Sequence, residues 1–531
     1  MASATYEIAI DIGRNNTYAH AQSNVTAYVM GDIKWTNGLR KWDDEFGQPQ
    51  RMTFTLDNST GIFDPERAAA TYYNLILRGM LVRLRATFSA TTYTLFIGKI
   101  DKLTYDNTRY GRKVVNVSVR DLLPDLLEAE YRPRLLQNVR TDEALEAVFE
   151  QSNLALPYAS SYWILGSTLY SLLGTTTTLQ NLSNLINFDE GITILPYVGD
   201  NLGTNKGISA QTALRQIVAA ECGGRFFYNT RTGQFVFQNR HSDINPTFAS
   251  GANLTDDLIE DWEYVSQDDV VNYVTVRYQP RSVGDENAVV WQQEDVTRVS
   301  KNSQRVINAT YRSPIDELAK IGVVTGQAPV LGTDYIINTL EDGAGSNVTS
   351  SVGVTVDFAA TKATITLTND NAYDVFFTLL RLRGTPLYSY DQVAVEVIDP
   401  DSIGAYELSA KSVDVSALSD ADTAEAYATY LLERNDTPTT RVDRVTLILN
   451  KSSTWMTYGL SLTVGDAIDL TATRVGHSAG YIIVGEQHSV RMGGEHTHSL
   501  TWILKPANKT RAWVLGTSGF SELGTTTRLI F

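Results

Sequence analysis

The chain has 531 residues, with 44 basic against 60 acidic side chains and a formal net charge of -16. That length predicts roughly three to five domains, and the acidic balance argues against a surface built to clasp phosphates. A single cysteine, Cys222, excludes an internal disulfide framework and fits assembly in a reducing compartment. Neither a basic leader followed by an apolar run nor a stretch of ~18 apolar residues occurs, so no export signal or membrane span is expected.

Abundant β-branched residues and 27 tyrosines tilt the expectation towards sheet. The first 122 residues form strands and turns. Met80, Val82, Leu84, Ala86 and Phe88 alternate with polar neighbours, TYTLFIGKI follows, and Val115, Val117 and Val119 share one face. This predicts a small antiparallel sheet or barrel. The turn segment Phe54 to Ala69 fails as a calcium loop, because Gly61, Ile62 and Ala68 stand where an oxygen ligand, a glycine and a closing Glu are needed.

Residues 123–255 change period and predict an α+β insertion. Thr141 caps one helix there, and Ser209 caps another with Leu214, Ile217 and Val218 buried and Gly223 as its stop. RFFYNTRTGQFVFQNR predicts a hairpin turning around Asn229 to Gly233. A second barrel is expected, split across 256–310 and 395–505, with Val274, Val276 and Tyr278 on one face of its opening strand. Between the two parts, 311–394 predicts an inserted immunoglobulin- or fibronectin-like sandwich. The helix SDADTAEAYATYLLERN starts with a capping box of Ser419 and Asp422 and turns Ala424, Tyr427, Ala428 and Leu431 inward. Four strands follow, the last two joined at Gly493-Gly494, and 506–531 form a tail. The fold class is therefore mainly β with α+β insertions: two β-barrel domains, an α+β insert and an inserted sandwich.

Four of the six histidines lie between His477 and His498. If Met492 pairs with Glu495, His496 and His498 share a face with Arg491 and Ser489, while His488 lies opposite Ser499 on the other face. A three-histidine metal site is thus disfavoured, and surface or interface histidines are expected. Cys222, in AAECGG without a nucleophile-like context, is expected to be a buried small residue. The acid-rich run Thr255 to Asp269 is expected to be a solvated loop rather than a carboxylate pair for glycoside hydrolysis. No P-loop, GxSxG elbow, HExxH or dinucleotide fingerprint occurs, so no catalytic residue, cofactor or metal is expected.

One 17-residue sentence occurs twice, from Trp163 to Leu179 and from Trp513 to Leu529. Its shared landmarks are Trp163, Gly166, Leu173 and Gly174 in the first copy and Trp513, Gly516, Leu523, Gly524, Thr525, Thr526, Thr527 and Leu529 in the second. Trp-x-Leu-Gly ends one short strand and Leu-Gly-Thr-Thr-Thr begins another, the physics of a β-arch. These residues are the candidate interface: either a hairpin buried on its own domain or a clip that adds strands to a neighbour's sheet.

FTLDNSTGIFDPERA, LRGMLVRLRA, TLFIGKID, VNVSVRDLL, ALRQIVAAECGGRFFYNTRTGQFVF, DTAEAYATYLLERNDTPTTRV, VGDAIDL and WVLGTSGFSELGTTTRL together resemble the tail hub, or baseplate hub, proteins of tailed bacteriophages, often called minor tail proteins. The resemblance implies a homotrimer in which each chain supplies two related hub-type barrels, giving pseudo-sixfold symmetry against a hexameric tail tube. It implies a virion structural protein at the tail tip, assembled in the host cytoplasm, that adapts one symmetry to the other and gates DNA exit during genome ejection. The implied partners are the tail tube protein, distal tail protein, tape measure protein and receptor-binding or fibre proteins, with DNA passing the lumen without specific binding. The sandwich and the internal copy of the repeat depart from the pattern. Two rival readings are a tail-associated cell-wall hydrolase, for which the catalytic constellation is missing, and a glycan-binding tip protein using Tyr162, Trp163 and the sandwich.

Overall fold

The computed structural model describes residues 2–14, 17–106, 112–128, 130–131, 135–151, 185–199, 208–242, 251–256, 259–268, 270–312, 320–492 and 497–507. The chain is mainly β, with few helices, as its composition predicts.

The N-terminal part contributes β1 (Thr5–Ile10), β2 (Val29–Gly38), β3 (Arg51–Asp57), β4 (Leu81–Phe88), β5 (Thr91–Asp106) and β6 (Val114–Arg120). They pair antiparallel in the order β1-β4-β5-β6-β3-β2. The period-two pattern holds: Val82, Leu84, Ala86, Val115, Val117 and Val119 are all buried. The turn after β3 is held by Asn58, whose amide donates to Asp64 Oδ1 at 2.7 Å and whose carbonyl accepts from Phe63 N at 2.9 Å.

The α+β unit contains α1 (Leu123–Glu128), α2 (Thr141–Gln151), α3 (Ala210–Ala220) and the hairpin β7 (Arg225–Asn229) and β8 (Gln234–Gln238). Ser209 caps α3 as expected, accepting from Thr212 N, and Leu214, Ile217 and Val218 are buried beneath it. Thr141 does not cap α2. Its hydroxyl donates to Glu221, and Glu143 accepts from Arg140 N at 2.9 Å instead, reaching back from the first turn. The stop of α3 also differs by one residue: Cys222 takes φ 59 before Gly223 at φ 117. The fully buried Cys222 side chain is held there by the surrounding core.

Next come β9 (Ala252–Thr255), β10 (Asp261–Asp268) and β11 (Tyr273–Tyr278). The acid run is thus largely strand, since β10 pairs with a later strand through two register shifts. The span 256–310, read from sequence as one piece of a second barrel, is shared among different packing units. β11 pairs with Val393–Ile398 and Ala410–Val415, and its Val274 and Val276 join the core of the α+β unit. Ser303–Thr310 belongs to the sandwich, where it pairs with Lys362–Asn369. The sandwich is organised by the long strand Val375–Ser389, which pairs with five strands between Arg281 and Asn338, so its sheets draw on residues before 311.

Towards the C-terminus follow α4 (Ala421–Asn435), β12 (Thr439–Ile448), α5 (Ser453–Ser461), β13 (Ala467–Ala472), β14 (His477–Met492) and β15 (Thr497–Pro506). Asp420, not Ser419, caps α4 by accepting from Thr423 N at 2.9 Å. Ser419 is drawn away by Arg281, which donates to its hydroxyl at 2.8 Å. Ala424, Tyr427, Ala428 and Leu431 are buried as the helical spacing requires.

Two separate barrels were expected, but the described strands close none. β2 pairs with β14 from Gly31 opposite Met492 to Gly38 opposite Gly485, and a single twelve-stranded sheet runs from β1 through this seam to β10. Closure of the first half would require β1 to pair with β2. The outer edge of β1 is instead covered by Ser23 to Val25, with Ile10 N donating to Ser23 O and Val25 N to Ile8 O, while β2 gives its second edge to β14. One hydrophobic core accordingly serves both halves, containing Ile8, Phe54 and Val82 together with Val490, Leu500 and Trp502.

Candidate functional site at the seam of the large sheet

The β2–β14 pairing depends on two glycines placed opposite each other. A Cβ at Gly38 would meet Val484 O at 2.5 Å, and one at Gly485 would run into Leu39 O. Gly38 also takes φ 81, open to glycine without cost. This close approach brings Trp35 directly opposite His488, where the two rings stack 4.5 Å apart at 6°.

Behind the stack runs a buried chain of polar groups. Tyr6 Oη lies 2.7 Å from His498 Nδ1, His498 Nε2 lies 2.9 Å from His488 Nδ1, and His488 Nε2 lies 2.9 Å from Glu486 Oε2. Arg231, from the β7–β8 turn, donates to the same carboxylate oxygen from Nε at 3.1 Å and Nη2 at 2.8 Å. It anchors α5 as well, donating to Leu460 O at 2.6 Å and Gly459 O at 3.2 Å. His498 N donates to Asn450 Oδ1 at 2.5 Å.

The direction of the hydrogen bonds follows from the ends. Ionised Glu486 only accepts, so His488 Nε2 carries a proton; because burial keeps the ring neutral, its Nδ1 accepts from His498 Nε2–H. Tyr6 then donates to His498 Nδ1, and both imidazoles stay neutral. The electrostatics agree. Burial pushes the Glu486 carboxyl up, but the Arg231 guanidinium and the His488 ring outweigh it and hold the group at about 2. Burial lowers His488 despite the pull of Glu486, and burial, with the nearby Arg231 guanidinium and any proton on His488 opposing a further charge, lowers His498 well below its ordinary value. Sealed from solvent, this arrangement ties strands and helix together.

The register explains why the histidines were misplaced from sequence. Val490 pairs with His498 and His488 with Leu500, one residue away from the register built on Met492 and Glu495, with residues 493–496 lying between the strands. A slip of one residue transfers a side chain to the opposite face. His488 and His498 therefore share the buried face instead of lying apart at the surface. His477 stands elsewhere, 2.8 Å from Tyr481 Oη and edge-on to Tyr264. Among the described residues, no group of three His, Cys, Asp or Glu side chains is placed to hold a metal ion.

Cys222 is buried, and burial pushes its thiol well above the ordinary range, as befits a packing residue. The twelve repeat residues proposed as an interface, from Trp163 to Gly174 and from Trp513 to Leu529, lie outside the described residues, as does Tyr162. Sequence reasoning missed Tyr6, Trp35, Arg231, Asn450 and Glu486. A signal existed only for Glu486, which shares strand parity with Ile482, Val484 and Val490 and so sits where an apolar residue is expected.

No protein-family model matches the sequence, and no curated protein sequence matches it. Among solved structures the chain is similar to the tail protein from Neisseria meningitidis MC58, with 10% identity, a TM-score of 0.46, and 94% of this chain and 96% of that one covered. It is similar to the 43 kDa tail protein of prophage MuSo2 from Shewanella oneidensis, with 9% identity, a TM-score of 0.45 and coverage of 94% and 98%. A third is prophage tail protein gp18 from Listeria monocytogenes EGD-e, with 9% identity, a TM-score of 0.39 and coverage of 93% and 94%. All three are tail proteins, the group that the motifs of this sequence resemble.

Proposed function

We propose that this chain is a structural hub of a phage tail: a trimeric adaptor between the hexameric tail tube and the proteins of the tail tip, without catalytic activity of its own. The carrying observation is the β2–β14 seam, which fuses two sets of strands into one sheet over one core. Three such chains offer six sheet halves, each held in fixed relation to its mate, which is what a threefold object needs in order to meet a sixfold ring. The tube, distal tail, tape measure and receptor-binding or fibre proteins are the proposed neighbours, at the tail tip of the virion. Three chains of -16 carry -48, and an acidic lumen lets DNA slide past with little adhesion before exit.

The test is the mass of the purified chain by light scattering, with negative-stain imaging of isolated tails. Three times 58.7 kDa in a ring with a central opening is expected. A chain that remains monomeric at assembly concentrations and is absent from the distal end of tails would overturn the proposal. Deleting Trp513 to Phe531 tests the repeated sentence as a docking clip: assembly should weaken while the strands stay folded, and unchanged incorporation would dismiss the clip.

A further inference from the structure

A cleft of about 550 Å³ opens where the loop after β2, the start of β7, the strand Ala410–Val415, α4 and the end of β15 converge. Its charge runs against that of the chain. Arg225 and Lys505 line it as buried side chains, while Lys411 is exposed and Arg434 half-buried. These four cations face three carboxylates, Asp43, Asp44 and Glu45. Of these, Glu45 is pushed above its ordinary value by burial, against the pull of Lys411. Tyr427 Oη, 3.4 Å from Glu45 Oε1, places a hydroxyl on the same wall.

A net-positive concavity on a chain of -16 attracts an anion. Its volume is in the range of ordinary ligand pockets and suits a few residues of polypeptide, whereas a DNA duplex about 20 Å across has no room to enter. Carboxylate side chains, each a monoanion matched to guanidinium and ammonium donors, fit the distribution better. We infer that this cleft docks an acidic segment of a partner polypeptide, with Lys411 and Arg434 meeting it first and Lys505 and Arg225 holding it deeper. The inference goes beyond the hub reading and does not depend on it.

The experiment uses the full chain and fluorescein-labelled hexaglutamate, followed by anisotropy at low salt. Saturable binding is expected, weakened at least tenfold by Lys411→Glu and by Arg434→Glu and about threefold by the milder Lys411→Gln, with circular dichroism unchanged. Lys301→Glu, an exposed lysine of the sandwich, should leave it intact. Absence of binding, or equal loss in Lys301→Glu, overturns the inference. Tighter binding of a single-stranded oligonucleotide at the same residues, or full displacement by an equal concentration of citrate, overturns it as well, pointing to nucleic acid or to a small-anion site.

Discussion

His488 Nδ1 and His498 Nε2 lie 2.9 Å apart on adjacent strands, both rings fully enclosed, and burial holds both imidazoles below their ordinary values, so the chain from Tyr6 to Glu486 runs through neutral rings. Acid should therefore unfold this protein from the seam. Both imidazoles have folded values below the usual 6.5, so below about pH 6.5 the unfolded chain binds protons that the folded one refuses, and stability falls as pH drops. The Glu486 carboxyl, at about 2 against 4.5 when unperturbed, adds a second loss as pH falls from about 4.5 towards 2. Urea melts between pH 8 and pH 4 should show a steady decline starting near 6.5. His488→Gln should lower stability at pH 8 yet flatten the decline between 6.5 and 5, and an unchanged slope would dismiss the histidines as its source.

Breaking the Arg231–Glu486 pair on one side leaves a charge buried without its partner. Arg231→Met is expected to cost about 3–5 kcal/mol, because Glu486 has no route to water. The double variant Arg231→Met/Glu486→Leu should recover part of that loss by removing both charges together. Thermal melts of the two single variants and the double form the cycle. A double variant as unstable as the sum of the singles would refute the coupling.

The seam itself is tested by one methyl group. Gly485→Ala drives a Cβ into Leu39 O, so strands β2 and β14 must separate, with an expected cost of about 1–3 kcal/mol and faster proteolysis between the halves of the sheet. Gly404→Ala, inside the helix Pro400–Tyr406 and with nothing within 4 Å of the added atom, should be neutral or stabilise by up to about 1 kcal/mol. Equal effects at the two sites would mean that the close approach at Gly485 is unimportant.

Cys222 should be silent towards thiol reagents. Burial raises its thiol and encloses it, so maleimide labelling at pH 7.5 should be slow in the native chain and fast in 6 M urea. Rapid native labelling would show that the end of α3 opens readily.

Much of this architecture is visible in local pattern. Val82, Leu84 and Ala86 alternate because a strand with one buried face demands it, and Ala424, Tyr427, Ala428 and Leu431 recur at helical spacing for the corresponding reason. Ser209 announces α3, and the β7–β8 hairpin turns where its Asn and Gly residues indicate. Each of these signals belongs to a segment and is read within a few residues of itself.

The seam has no such local signature. Gly31 to Gly38 find their partners in Gly485 to Met492, more than 440 positions away, and nothing in either segment names the other. The register of β14 against β15 is set by contacts along both strands, and its difference of one residue decides whether His488 and His498 share the buried face or lie on opposite faces. Likewise Arg281 competes for Ser419 and moves a helix cap, and Glu221 takes the hydroxyl of Thr141. Periodicity and capping are short-range consequences of residue type, which is why the strands and helices could be drawn from the chain alone. Pairing, register and the burial of Arg231, Glu486 and the two histidines arise from distant segments sharing one core, and only the folded structure decides them.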